Sequence, residues 1–381
     1  MSRTQDEMPL LDVGSDNIVL FHPHVPRKGI EHVNDTLRSR WIGQGPKVDL
    51  FEQRFGNRFA PGLACVAVGS GTDALHLAYI LTGLRPGDEV IAPVFTCTAT
   101  NIPFLYMGVN VRFADIQAGT LNIDPSHVAS LANEKTKAIV CVHYGGLPCD
   151  MAELQAVASN WNIPIIEDAA HAVGATYRGR SVGAISDFTM FSFQAIKHIT
   201  TGDGGMLTMR NVHLLDKAKR VRWFGIDRSA KQLGIWENDI KEVGYKYQMT
   251  DIGAALGLAA LEEFDETLAL RRRLLAEYER GLRGIPGLTF VGGGYTDREH
   301  AAWLCTVIAE RRRDLQRRLR EARIESSQVH YRNDRYSIFG GRTWQLPHMD
   351  AIEDKYLVLP LHTRMSIADV QRTCDAVRAG W

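Results

Sequence analysis

From Leu63 onward the chain alternates between short apolar runs and stretches with helical spacing, and that alternation restricts the fold more than any other feature. "ACVAVGS" gives way to "TDALHLAYILTGL", and "EVIAPVF" to "TATNIPFLYMG". "VNVRFADI" and "KAIVCVHYG" follow, then a helix near Met151 to Trp161, then "IPIIEDAA". Runs that are apolar at every residue are strands buried on both faces, and parallel strands joined by covering helices are the arrangement that buries both. "DFTMFSF" and "GGMLTM" read as further strands around a loop rich in Thr, Asp and Gly. Ahead of the alternation, Gly29 to Phe59 reads as helix, a tight turn at "WIGQGPKV", and helix. Behind it, a long helical region from Thr250 to Arg283 leads into isolated strands and amphipathic helices such as "RDLQRRLREARI". The expectation is an α/β protein. A large unit over residues 1–255 carries an N-terminal arm and a mainly parallel sheet between helices, and a smaller α+β unit follows over 256–381.

A chain of 381 residues is long enough for about two such units. Lys plus Arg number 44 and Asp plus Glu number 44, so no net field gathers nucleic acid or an anionic membrane. The basic runs Arg271–Arg273 and Arg311–Arg313 recur among Leu, Ala and Glu at helical spacing and read as solvated helix faces. The start has no apolar signal region, and no stretch of about 18 apolar residues occurs. Six scattered cysteines without a CxxC pair suggest reduced thiols in a cytoplasmic protein, with no metal site.

Three chemically distinct groups accumulate between Ser70 and Lys197. Gly69, Gly71 and Ala74 match G-x-G-x-x-A after a strand, yet Asp88 and Glu89 precede the next strand, where a dinucleotide fingerprint wants an acid at its end. What survives is an anion site: Ser70, Gly71 and Thr72 offer N–H groups and hydroxyls at a helix N-terminus, suited to one phosphate. Asp168 ends the strand of "IPIIEDAA", at the edge where open α/β sheets bind ligands, although capping a helix is an equal role for it. His171 is either a packed histidine or a donor facing a ring. Lys197 lies five residues after Ser192, between an apolar run and a flexible loop, an odd place for a residue so rarely buried. A phosphate cradle, a carboxylate and an amine are together what pyridoxal phosphate needs: an anchor, a partner for its ring nitrogen, and a nucleophile for its aldehyde.

At this point the chain resembles the DegT/StrS-type sugar aminotransferases, fold-type I pyridoxal-phosphate enzymes. The resemblance runs from "SRWIGQGPKVDLFEQRF" to "LPLHTRMS" and includes "VGSGTDALHLA", "IIEDAAHAVGATYRG", "FSFQAIKHITTGDGGM" and "GYKYQMTDIGAALGL". It implies that Lys197 carries the cofactor covalently and moves protons, that Asp168 pairs with the ring nitrogen, and that His171 contacts the ring. Gly71, Thr72 and Ser192 would hold the phosphate, beside Ser70. A nucleotide-linked keto-sugar, expected to be a 4-keto-6-deoxyhexose, would accept the amine from glutamate through the pyridoxamine phosphate form. Trp41, His330, Tyr331 and Arg332 would be substrate contacts, and a homodimer with shared sites is expected.

Two residues depart from the family pattern. Cys97 stands where relatives place an aromatic that stacks on the cofactor, and Lys246 replaces an asparagine that reaches the partner subunit's phosphate. A lysine can still serve a phosphate, as a point charge. Two other readings are a pyridoxamine-phosphate sugar dehydratase, in which histidine replaces the lysine, and a sugar-binding relative without catalysis. Lys197 in its place, with His198 merely adjacent, speaks against the first. The intact trio speaks against the second.

Overall fold

The computed structural model describes residues 10–14, 16–237, 239–342 and 344–381. Two helices, α1 (Gly29–Leu37) and α2 (Pro46–Phe59), precede the sheet. Pro46 opens α2 at a position where its missing N–H costs nothing. The Asp251 carboxylate accepts from the N–H groups of Gly45 (2.8 Å), Lys47 (3.1 Å) and Val48 (3.1 Å), which satisfies the donors that a helix start leaves open. Phe51, Phe55 and Phe59 recur every fourth residue, so they share one face of α2 and pack edge-on against Phe191, Phe193 and Phe264.

The central sheet has seven strands: β1 (Ala64–Val68), β2 (Glu89–Pro93), β3 (Asn110–Ala114), β4 (Thr136–Val142), β5 (Ile165–Asp168), β6 (Phe188–Ser192) and β7 (Gly205–Met209). Their spatial order is β1-β7-β6-β5-β4-β2-β3. All neighbours run parallel except those of β7, which is antiparallel to both β1 and β6. The sheet is therefore mainly parallel, as expected, with one reversed strand.

The covering helices are α3 (Gly71–Thr82), α4 (Thr98–Tyr106), α5 (Pro125–Leu131), α6 (Met151–Trp161), α7 (Leu215–Val221) and α9 (Asp251–Glu262), with a short helix, α8 (Arg228–Gln232), between the last two. Separate apolar clusters fill the two faces: Ile91, Cys141, Phe191 and Met206 on one, Val90, Val140, Ile166 and Leu207 on the other. Alternation within strands that are buried on both sides produces this division.

The long helix α10 (Phe264–Leu282) leaves this body, with Phe264 and Leu268 in the first cluster and Leu274 and Tyr278 in a third. That third core lies under an antiparallel sheet of β8 (Leu288–Phe290), β9 (Cys305–Ala309) and β10 (Tyr356–Leu359), with β9 central. It also takes residues of α11 (Arg312–Glu321) and α13 (Ile367–Arg378), while α12 (Pro347–Ile352) adds Met349 and Ile352 to a fourth cluster. Among the described residues no helix is long and apolar enough to cross a membrane.

Candidate active site

The register of the sheet brings the candidate residues to one edge. Val68 pairs with Gly205 and Gly205 with Ser192, so the ends of β1 and β6 stand on either side of the start of β7. Ser70 caps α3, its hydroxyl accepting from Asp73 N–H (3.0 Å). The first turn of α3 is packed against Ser192: a Cβ built on Gly71 would lie 3.0 Å from Ser192 Cβ and 3.3 Å from its Oγ. One on Gly205 would strike the Ser70 carbonyl and lie 2.9 Å from Gly71 N. Ser70, Gly71 and Thr72 are half-buried. Open N–H groups, two hydroxyls and backbone that tolerates no side chain fit a phosphate group.

Asp168, at the end of β5, is 4% exposed. Its Oδ2 accepts from Thr100 Oγ1 (2.7 Å) and its Oδ1 from Ala170 N–H (3.1 Å). Burial raises its pKa, while Thr100, Ala170 and Lys197 pull it back down. No ion pair joins it among the described residues, so the carboxylate has room for a cationic N–H. That matches a pyridinium nitrogen.

Lys197 lies in the loop between β6 and β7. The residue keeps part of its surface open, but the amine end lies among buried groups. Desolvation draws its pKa down from 10.5 to about 7, against the pull of Asp168 and Cys97, and Arg271 pushes it further down. An amine with that pKa is largely unprotonated just above neutral pH and can act as a nucleophile.

His171 is buried and held neutral, first by desolvation and then by Lys197. Gly145 N–H donates to its Nδ1 (3.3 Å), which leaves the proton on Nε2, facing His330 Nε2 at 3.4 Å. The two imidazoles lie nearly parallel, 5.3 Å apart. Glycine is required in the turn that carries this bond: Gly145 has φ 64° and Gly146 φ 102°, and a Cβ on Gly146 would lie 2.8 Å from His171 O.

Of the remaining expected residues, Cys97 is exposed at the start of α4, and the strand pair Thr96–Tyr331 places His330 and Tyr331 beside it. Tyr331 is exposed under the Arg335 guanidinium. Arg332 departs from the expectation of a substrate contact. It is 1% exposed and its guanidinium is taken by Asp334 (2.6 and 2.7 Å), Asp350 and Glu353. That makes it a buried structural ion pair that fixes the segment carrying His330. Trp41 is exposed near the start of α2, and none of its contacts reaches Lys197 among the described residues. Lys246 is exposed as well. With the Gln248 amide turned so that its oxygen faces donors, that oxygen accepts from Lys246 Nζ (2.8 Å) and Trp223 Nε1 (3.3 Å). His198 is turned away from the site, its ring bonded to Ala301 O (2.6 Å).

Sequence reasoning missed Thr100 and Trp303. Trp303 is 2% exposed, stacks on His171 at 3.7 Å and has Lys197 Nζ 3.5 Å from its ring centroid. It stands some 100 residues downstream with no motif around it.

Comparison with known proteins gives a consistent result. Residues 25–378 match the DegT/DnrJ/EryC1/StrS aminotransferase family. The spore coat polysaccharide biosynthesis protein SpsC of Bacillus subtilis is 36% identical, over 93% of this chain and 95% of its own. GDP-perosamine synthase of Escherichia coli O157:H7 is 32% identical, over 94% and 97%. The sugar aminotransferase CalS13 of Micromonospora echinospora superposes with a TM-score of 0.90 at 33% identity, covering 96% of this chain and all (100%) of its own. The sheet, the edge that gathers lysine, carboxylate and phosphate cradle, and these likenesses lead to one conclusion: the chain belongs to the DegT/DnrJ/EryC1/StrS family of pyridoxal-phosphate-dependent sugar aminotransferases, of fold type I.

Proposed function

We propose that this enzyme transfers an amino group from glutamate to a nucleotide-linked 4-keto-6-deoxyhexose, with Lys197 as the reacting amine. The observation that carries the reading is the Lys197 amine, drawn down to about 7, sharing one sheet edge with the unpaired Asp168 carboxylate and the Gly71–Ser192 cradle. The first turn of α3 and Ser192 would hold the phosphate of pyridoxal phosphate, Asp168 its ring nitrogen, and His171, with Cys97 opposite, the ring. When bound, this group supplies an electron sink for the carbon that carries the amine.

The chain's own residues do the rest. Lys197 would hold the cofactor covalently and, when its amine is free, would remove the Cα proton of glutamate; in the second half it would handle the proton at the former keto carbon of the sugar. His171, neutral with its proton on Nε2, orients the ring without adding charge. His330 and Tyr331 would contact the acceptor sugar, and Trp41 would contact sugar or nucleotide across a subunit boundary. A relative that makes GDP-perosamine supports the sugar class.

We further propose a homodimer with shared sites. Leu233 (81% exposed), Trp236 (75%) and Val243 (78%) are exposed apolar residues in the segment that leads to Lys246, which would serve the neighbour's phosphate. The test is a half-reaction screen. Glutamate should convert the bound cofactor to its amine form, and a 4-keto-6-deoxyhexose linked to a nucleotide should return it. If only 3-keto sugars, or amino donors other than glutamate, reset the spectrum, the substrate part of the proposal is wrong.

A further inference from the structure

We propose that Trp303 is a positioning residue for Lys197, its indole face being the resting place of the lysine amine whenever that amine is not covalently engaged. This rests on Lys197 being the reacting amine. Lys197 Nζ lies 3.5 Å from the indole centroid, and no hydrogen bond reaches Nζ among the described residues. A buried amine without an acceptor is costly unless something compensates, and the negative face of an indole is the strongest aromatic partner a cation finds.

The indole is held from several sides. Its Nε1–H donates to Ile196 O (3.2 Å), the residue directly before the lysine, so ring and lysine backbone move as one piece. His171 stacks on it at 3.7 Å and 14°, and Phe21 lies 5.8 Å away at 20°. Trp303 N–H donates to Gly145 O (2.9 Å), next to the amide that fixes His171. One side chain therefore couples the amine, the ring-facing histidine and the loop that carries the lysine.

The choice of a π face has a chemical consequence. A carboxylate at this spot would hold the amine as a bound ammonium. An indole attracts it without taking part in proton transfer and lets it leave, which suits a lysine that alternates between bonded and free. The other groups facing the amine are Asp168 from β5, Cys97 at the start of α4, Arg271 from α10, and the histidines 171, 198 and 330.

The test uses the full chain freed of pyridoxal phosphate and reductively methylated with ¹³C-formaldehyde. The Lys197 resonance is identified by its absence in Lys197→Ala. In the wild-type protein the indole ring current should place that resonance upfield of the exposed lysines. Trp303→Leu should move it toward them and lower the apparent pKa of the amine by about half a unit or more, the size expected for a lost cation–π contact. Trp303→Phe, which keeps a ring face, should stay near wild type on both counts. A wild-type resonance among the exposed lysines overturns the proposal even if the leucine variant fails to fold. So does a folded Trp303→Leu protein whose Lys197 titrates as in wild type. If Lys197 never takes up pyridoxal phosphate, the reading beneath the proposal fails, a result distinguishable because the methyl titration needs no turnover.

Discussion

The low pKa of the Lys197 amine comes from its surroundings, not from the residue type. Desolvation draws the amine down to about 7 from 10.5, and Asp168 and Cys97 keep it from going lower. Below that value the amine is protonated and inert, so borohydride trapping of pyridoxal phosphate on Lys197 should rise through about pH 7. A midpoint near the ordinary lysine value would mean the amine is solvated. Lys197→Ala should abolish transamination by more than the roughly 10²–10⁴-fold that acid–base help alone supplies, while the cradle and Asp168 still bind the cofactor without a covalent bond. Near-normal turnover in that variant, measured with glutamate, would contradict the assignment. Asp168→Asn removes the charge that keeps a pyridine nitrogen protonated but leaves the Thr100 and Ala170 donors in place. Its covalent link to Lys197 should still form, and its activity should collapse. If it retains most of its activity, Asp168 serves only the backbone.

At the scale of elements, the close fit of β7 between β1 and β6 shapes the cradle proposed for the phosphate. Gly205→Ala drives a methyl group into the Ser70 carbonyl and the first turn of α3. It should weaken pyridoxal phosphate binding by at least tenfold, the equivalent of about 1.4 kcal/mol and within the range of overpacking costs. Equilibrium binding to the Lys197→Ala background isolates this effect from chemistry, and unchanged affinity there would show that the first turn is free to move. Much of this architecture was legible in the sequence. β1 to β7 are apolar almost throughout, so their burial and the alternation with helices could be read directly. The reversal of β7 could not, because a strand buried on both faces reads the same in either direction. Asp168, Lys197 and Ser192 were readable because each ends or follows a strand. Trp303 and Thr100 reach the site only through the packing of distant segments. Arg332 misled in part for the same reason: two of its acids, Asp350 and Glu353, are 18 and 21 residues away in sequence, and only Asp334 stands two residues on. The division at 255/256 falls inside α9. We propose that the two units meet along α10, whose first turns pack in the large core and whose last turns pack in the small one.

At the scale of the whole molecule, Phe224, Leu233, Trp236, Ile240 and Val243 are exposed apolar side chains interspersed with charged residues ahead of Lys246, and we propose that a second copy of the chain covers them. If Lys246 serves the neighbour's site, exchanging subunits between inactive Lys197→Ala and inactive Lys246→Glu proteins should restore part of the activity. In each mixed dimer one site carries both lesions and the other carries neither. If Lys246 acts within its own subunit, every site keeps one lesion and the mixture stays inactive. Everything above depends on one chemical assignment, which a single mass measurement tests. The purified chain is incubated with pyridoxal phosphate, reduced with borohydride, digested and sequenced by mass spectrometry. One pyridoxyl group per chain is expected, on Lys197, and its loss is expected when glutamate is added before reduction. No adduct, or an adduct on another lysine that glutamate does not displace, would contradict the assignment.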